Sequence, residues 1–439
     1  MAVYEATGES LDVDGPDPRA RALRWYLGHM RRGWRDASED DVRAAHRSDD
    51  AIPPAQRLRF VSDYARRLPP LEIDEIVAVS LHEGMARLHD EKGRRYRLRV
   101  LMHPPEPDRL RHAVLTQEPP SGTAIRLATP ADGPALAELQ RRVPVVDGAV
   151  RRTYDRGADY LVAATVADEQ VVLVAEVDGV VCGMASQVYH SARAAGRLLR
   201  LAYIRHVRVD PAVQGRGVFS ALNGAAAEYA IPHCDAPWSL TAIGNATVDN
   251  LGMRNIARSP VAQLRIDVRA TARSTPLPPA PGPGEAKEIA AFLEKATGGL
   301  ELSRPWGAAE VEARVSGVGP RYGWDRLAFA QGALVGIEGT PITVVTEGPE
   351  GRSVRREVLA FDLAALPGRE RELGELVRAF CARLADESVD DLLVTVACPS
   401  LLSPLAELAA KTMRFYLNHQ FAVAPDADGR GYFIDGMLF

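Results

Sequence analysis

The sequence predicts a mixed α+β and α/β chain in three blocks: an α+β block followed by two blocks built on mixed sheets. Three observations carry this. Two Pro/Gly-rich connectors, 118–122 and 274–284 (STPLPPAPGPG), suit neither helix nor central strand and divide the chain into 1–120, 123–272 and 285–439. The first block reads as helices and then strands. The second and third share one order of elements, which makes them candidate structural repeats despite little matching sequence.

In the first block, Leu23, Tyr26, Leu27 and Met30 recur at helical spacing after Pro18. A second helix follows Pro53-Pro54, with Leu58, Val61 and Ala65 on one face. Strand-like runs follow at 76–81, 85–88, 96–102 and 112–116, with a turn at Glu91-Lys92-Gly93. The middle block opens with a strand at 124–128. Thr129-Pro130-Ala131-Asp132 then starts a helix: Thr caps, Pro takes the first position, and Asp returns to the cap. The runs 171–177 and 180–188 flank Asp178-Gly179, a two-residue hairpin turn. A strand at 199–209, a helix marked by Val218, Leu222, Ala225 and Tyr229, a strand at 239–243 and a helix from about Asn245 complete the block.

The third block offers a helix at 286–295, a hairpin at 327–329 and 333–337, and a strand at 358–363. Leu373, Leu376, Val377, Phe380 and Leu384 form a helical stripe. A strand at 392–397, a helix at 405–413 and a closing hairpin of 416–424 with 432–438 follow.

Composition narrows the function classes. The 439 residues are 46% hydrophobic and 25% charged, which excludes wholesale disorder and fibrous repeats. A net charge of −5 argues against a dedicated nucleic-acid binder. No apolar run reaches the ~18 residues of a membrane span, and the first residues lack a signal-peptide core. Cys182, Cys234, Cys381 and Cys398 are scattered without CxxC spacing, so no disulfide framework or metal site is expected, and a cytoplasmic location fits.

One stretch carries chemistry. A strand ends at Val209-Asp210-Pro211, a loop Gln214-Gly215-Arg216-Gly217 follows, and Val218 opens a helix. Glycines there let successive N–H groups converge, and the helix N-terminus adds partial positive charge. Together they make a seat for a diphosphate, with Arg216 as an added charged contact. The alternative is an ordinary strand-to-helix loop.

Here the sequence resembles the GNAT acyltransferase superfamily, whose signature is Gln/Arg-x-x-Gly-x-Gly/Ala after the fourth strand. Gln214 and Gly217 match; Phe219 replaces the usual small residue. The order of elements over about 123–270 agrees. The resemblance implies an acyl-CoA co-substrate, acetyl-CoA or another, and no metal. It implies that Val207, Arg208 and Val209 present backbone groups to the pantetheine arm. The N–H groups of Gln214, Gly215, Arg216, Gly217, Val218 and Phe219 would hold the diphosphate. Asn245 matches the Asn that many members carry after the next strand; a helix N-cap is its other reading.

The family's last-helix Tyr is missing: Gly252 stands at that position, and Ile256-Ala257 where Gly-Phe is usual. A proton route is still needed. Tyr203, eleven residues before Gln214, lies near the place where some members carry a catalytic Glu. His206 on the same strand and His190 at the end of the preceding one are the other candidates. Each also has a plain reading, as core Tyr or rim His.

The third block lacks the glycine loop, and Glu370 and Glu372 at its helix start would repel a diphosphate. It resembles a degenerate GNAT repeat, and the two blocks together are similar to a tandem GNAT of clavulanic acid biosynthesis. The first block resembles a ketosteroid-isomerase-like or cystatin-like α+β domain, on 38–42, 52–57 and 96–105. The expected activity is N-acylation of a small-molecule amine in specialised metabolism, antibiotic biosynthesis or self-resistance. A homodimer is compatible with it, and neither nucleic acid nor membrane is expected as a partner. The rival readings are a non-catalytic protein binding acyl-CoA or a pathway intermediate, and acyl-thioester chemistry other than amine acylation.

Overall fold

Helices come first in the chain: Pro18–Arg31, Glu39–Ala45 and Pro54–Ala65. The computed structural model describes residues 10–12, 14–119, 121–164, 168–230, 232–243, 257–273, 276–419, 432–434 and 437. Asp17 caps the first helix ahead of Pro18, and its apolar stripe of Leu23, Tyr26, Leu27 and Met30 is buried. That stripe covers one face of a four-stranded antiparallel meander, β1 (Leu71–Ser80), β2 (Glu83–Asp90), β3 (Arg95–His103) and β4 (Glu106–Gln117). Leu88, Leu98, Val100 and Leu110 fill the space between.

The middle block supplies β5 (Thr123–Leu127), β6 (Val145–Asp147), β7 (Val150–Asp155), β8 (Glu169–Val177), β9 (Val180–Ala194), β10 (Arg197–Val209), β11 (Ala236–Ala242) and β12 (Ala257–Asp267). The third supplies β13 (Leu327–Ala330), β14 (Ala333–Ile337), β15 (Ile342–Gly348), β16 (Gly351–Ala365), β17 (Asp391–Val396) and β18 (Lys411–His419). Among the described residues these strands join one sheet in the order β5-β8-β9-β10-β11-β18-β12-β17-β16-β15-β7-β6, with β14 on β16 and β13 on β14. The two blocks thus exchange strands. β18 lies between β11 and β12, and β12 between β18 and β17. The hairpin of β6 and β7 crosses to pair with β15.

Local signals explain several elements. The Thr129–Asp132 capping box forms, with Asp132 also held by Arg126 at 2.7 and 2.8 Å. Asp178 and Gly179 both take positive φ, +50° and +77°, as a tight hairpin turn requires. The stripe from Leu373 to Leu384 is buried on the helix Glu370–Asp386.

One expectation needs correction. The helix expected at 405–413 is instead Pro399–Ala406, opened by Pro399, and Lys411 onward is strand because β11 and β12 pair with it from both sides. β6 with β7, and β15, were not foreseen. Of the closing hairpin, 420–431 lies outside the described residues, as do Asn245 and the segment after it. No disulfide forms among the described residues.

Candidate functional site

β10 pairs antiparallel with β9 along its length, but the register slips once. Arg205 faces Ser186 and Arg208 faces Met184, so three steps on β10 match two on β9. The extra residue makes a bulge at His206 and Val207, with His206 in the left-handed region at φ +51°. On its other side β10 is parallel to β11, but only from Leu201 against Ala236 to Ile204 against Ser239. Beyond that point β11 pairs with β18, and from Arg205 to Val209 β10 keeps β9 on one edge while its other edge has no strand partner among the described residues. The strands therefore form a V with its mouth at the bulge. Unpaired strand backbone there can receive an extended, amide-bearing ligand as if it were another strand.

The open end of β10 leads into the glycine loop. Asp210 accepts a bond from Ala212 N–H at 2.9 Å and starts the turn Pro211–Val213. Gly215 and Gly217 have φ of +77° and +84°, where any other residue would be strained. The N–H groups of Gln214 and Arg216 reach Pro211 and Val213 carbonyls at 3.3 Å, which curls the loop. The first amides of the helix Val218–Ala230 have no carbonyl one turn back, and they point with the helix's positive end into the loop. Val218 is buried and Phe219 packs with Val207 on the same apolar cluster, while Gln214, Gly215 and Arg216 are exposed.

The first block seats this helix from behind. A Cβ on Gly224 would lie 1.8 Å from Thr116 Cγ2, so strand and helix are in backbone-close contact. Thr116 Oγ1 donates to Glu228, and Arg99 donates to it at 3.1 Å. A Cβ on Gly217 would lie 3.1 Å from Gln117 Nε2, so the Gln117 amide stands against the loop itself. Sequence reasoning missed this contribution, since nothing in β4 marks it.

The three proton-carrier candidates separate into two groups. Tyr203 and His190 are both buried and both pack on Trp238, with ring centroids 4.4 and 5.8 Å away. Burial pushes the Tyr203 hydroxyl well above its usual range. His206 stands elsewhere: its Nδ1 is 2.8 Å from the hydroxyl of buried Tyr160, and its Nε2 is 3.4 Å from Arg156. Burial, and then Arg156, Arg205, Arg208 and Arg321, hold its imidazole well below the ordinary histidine range, so it is neutral. Arg205 itself is pushed down to about 10 by burial. Tyr160 sits on a single turn, Tyr160–Ala163, capped by Asp159, and Arg321 comes from the third block. No sequence motif flagged Arg156, Tyr160 or Arg321.

No protein-family model matches the sequence, and no curated protein does. Solved structures do. The chain is similar to Saccharomyces cerevisiae N-myristoyltransferase with bound myristoyl-CoA, at a TM-score of 0.53 and 9% identity over 73% of this chain and 91% of that one. A structure of the same enzyme with myristoyl-CoA and inhibitors gives 0.52 at 8% identity, over 71% and 84%. A GCN5-related N-acetyltransferase from Sphaerobacter thermophilus aligns at 0.41 and 14%, over 73% and 100%. At these identities the likeness is one of architecture: the chain shares the fold of N-myristoyltransferase.

Proposed function

We propose that the chain is an acyl-CoA-dependent N-acyltransferase acting on a small-molecule amine. The carrying observation is the V between β10 and β11, whose bulged strand runs directly into the glycine loop and helix Val218–Ala230. In this reading the backbone of Val207, Arg208 and Val209 holds the pantetheine arm. The amides of Gly215, Gly217, Val218 and Phe219 hold the diphosphate, while those of Gln214 and Arg216, also expected there, are taken up by the Pro211 and Val213 carbonyls and shape the loop instead; Asn245 stays a cofactor-binding candidate on sequence alone. The amine attacks the thioester carbonyl; a C–N bond forms, the C–S bond breaks, and the thiolate leaves with the electron pair. His206, already neutral, takes the proton released by the amine nitrogen, and Tyr160 orients its ring. Tyr203 and His190 support the apex of the V through Trp238. The acyl group is acetyl or longer, and no metal takes part.

The third block acts here as a degenerate second copy. Its parallel strands β16 and β17 are joined by a helix that opens with Glu370 and Glu372, which repel a diphosphate. The first block is the scaffold for the cofactor helix. Intact-mass analysis of co-purified CoA species, then calorimetry with acetyl-CoA and myristoyl-CoA, tests the reading. One site per chain is expected. Gly217→Glu should abolish binding while the circular dichroism spectrum is retained, because a carboxylate would occupy the diphosphate seat. Two equivalent sites would refute the degenerate copy, and no binding would refute the proposal. Binding without thiol release on any amine would favour a binding protein.

A further inference from the structure

The mouth of the V is electrostatically one-sided. Arg205 and Arg208 flank the bulge on β10, Arg156 follows β7, and Arg321 enters from the turn Gly319–Arg321; all four act on His206. The carboxylate at the site, Glu338, is 2% exposed and held by Arg321, from Nε at 2.9 Å and Nη2 at 2.6 Å. Arg156 donates to the neutral Gln140 side chain at 3.1 Å and lies over the Tyr154 ring at 5.4 Å. Arg208 donates to the Val207 carbonyl at 2.8 Å, and its buried Nε has no hydrogen-bond partner. Neither Arg156 nor Arg208 has a carboxylate partner among the described residues.

Arg156 and Arg208 are half-buried, where a guanidinium loses part of its hydration unless an anion completes it, and the guanidinium fork fits carboxylate and phosphate oxygens. We propose, resting on the acyltransferase reading, that the acceptor amine also carries a carboxylate or phosphate, which docks between Arg156 and Arg208 and brings the amine to His206. Burial and then the arginines hold the imidazole low; the docked anion offsets the arginine part, so the substrate makes its own base stronger. The charged and titratable groups facing that imidazole are Arg156 and Tyr160, Arg205 and Arg208 on its own strand, and Arg321 with Glu338.

Matched acceptors test this by thiol release from acetyl-CoA and myristoyl-CoA: β-alanine against propylamine, and glucosamine 6-phosphate against glucosamine. The anionic member of at least one pair should lead by about 100-fold in kcat/KM, the scale of a lost charged hydrogen bond. Arg156→Gln and Arg208→Gln should each shrink that lead to about fivefold or less, and Arg156→Gln, which lies outside the cofactor strand, should leave acetyl-CoA affinity within about threefold. Equal use of both members, or a preference for the neutral ones, overturns the proposal. Equal loss of acetyl-CoA binding in both variants also overturns it, because the arginines would then serve the cofactor's own phosphates. Titration with citrate and inorganic phosphate in the absence of cofactor separates this from the acyltransferase reading. Anion binding with proton uptake, lost in both variants, supports the anion site even if no acyl-CoA binds or none of these amines turns over. No anion binding overturns it.

Discussion

Gly224→Ala is the sharpest test of how the cofactor helix is held. In an exposed helix this change would stabilise by about 1 kcal/mol. Here the new methyl would sit 1.8 Å from Thr116 Cγ2 and 2.9 Å from Thr116 Cβ, so something must yield. Overpacking of this kind costs about 1–3 kcal/mol. Turning Thr116 aside also gives up its hydrogen bond to the buried Glu228 carboxylate, worth about 1.5–3 kcal/mol. After the propensity gain, the net is a destabilisation of about 1.5–5 kcal/mol. Urea denaturation should show it as a lower midpoint. Thr116→Ser removes Cγ2 and keeps the hydroxyl, so adding it to Gly224→Ala should recover more than half the loss. A neutral or stabilised Gly224→Ala, or a double variant no better than the single, would refute the argument.

Three further outcomes are expected. His206→Gln should lower kcat by about 10²–10⁴ with acetyl-CoA affinity within about threefold, whereas Tyr203→Phe should cost less than about tenfold in kcat; the reverse pattern in single-turnover rates would make Tyr203 the proton carrier. Glu357 is buried and pushed up to about 7 by that burial and by Asp391. Its native value lies above the ordinary 4.5, so its contribution to stability is full below about pH 4.5 and lost as pH rises through about 7. Glu357→Gln should therefore stabilise the fold by about 2–3 kcal/mol at pH 8 and leave it unchanged at pH 4.5; a pH-independent difference in urea midpoints would contradict this. Arg314→Met strands Asp362, which is 3% exposed and keeps the Tyr322 hydroxyl at 2.7 Å, and should cost about 3–5 kcal/mol; a loss under 1 kcal/mol would mean the pair is not what holds that core together.

Elements coded by adjacent residues were legible in the sequence. The Thr129 capping box, the Asp178-Gly179 turn and the Leu373–Leu384 stripe each need only a few neighbours to decide their conformation. The glycine loop was legible for the same reason. What escaped depends on partners far along the chain. The β-branched run at 342–346 is a strand signal, yet nothing in it shows that β7 will be its neighbour. Ala195-Gly196 makes a second tight turn, at φ +48° and +73°, without the Asn or Asp that advertises one. Gly224 looks like a flaw in a helix until Thr116, more than a hundred residues earlier, is placed against it. The His206 surroundings are the extreme case: Tyr160 and Arg156 meet it, and the charge of Arg321 reaches it, only because a bulge, a single helical turn and the third block converge.

The exchange of β12 and β18 also decides when this protein can finish folding. Trp238 on β11 waits for His419 on β18, and Ala262 on β12 waits for Val396 on β17. A ribosome that has released the middle block has released a strand edge whose partner is not yet synthesised, and bare edges invite wrong pairing. Contacts so distant in sequence also make the search for the native pairing slow. A cut at the 274–284 connector should therefore yield two aggregating fragments rather than two domains, and co-expression of the pieces should restore soluble protein. The same interlock means that the two halves cannot drift apart on a hinge, so the acceptor must enter past side chains and loops rather than through an opening sheet.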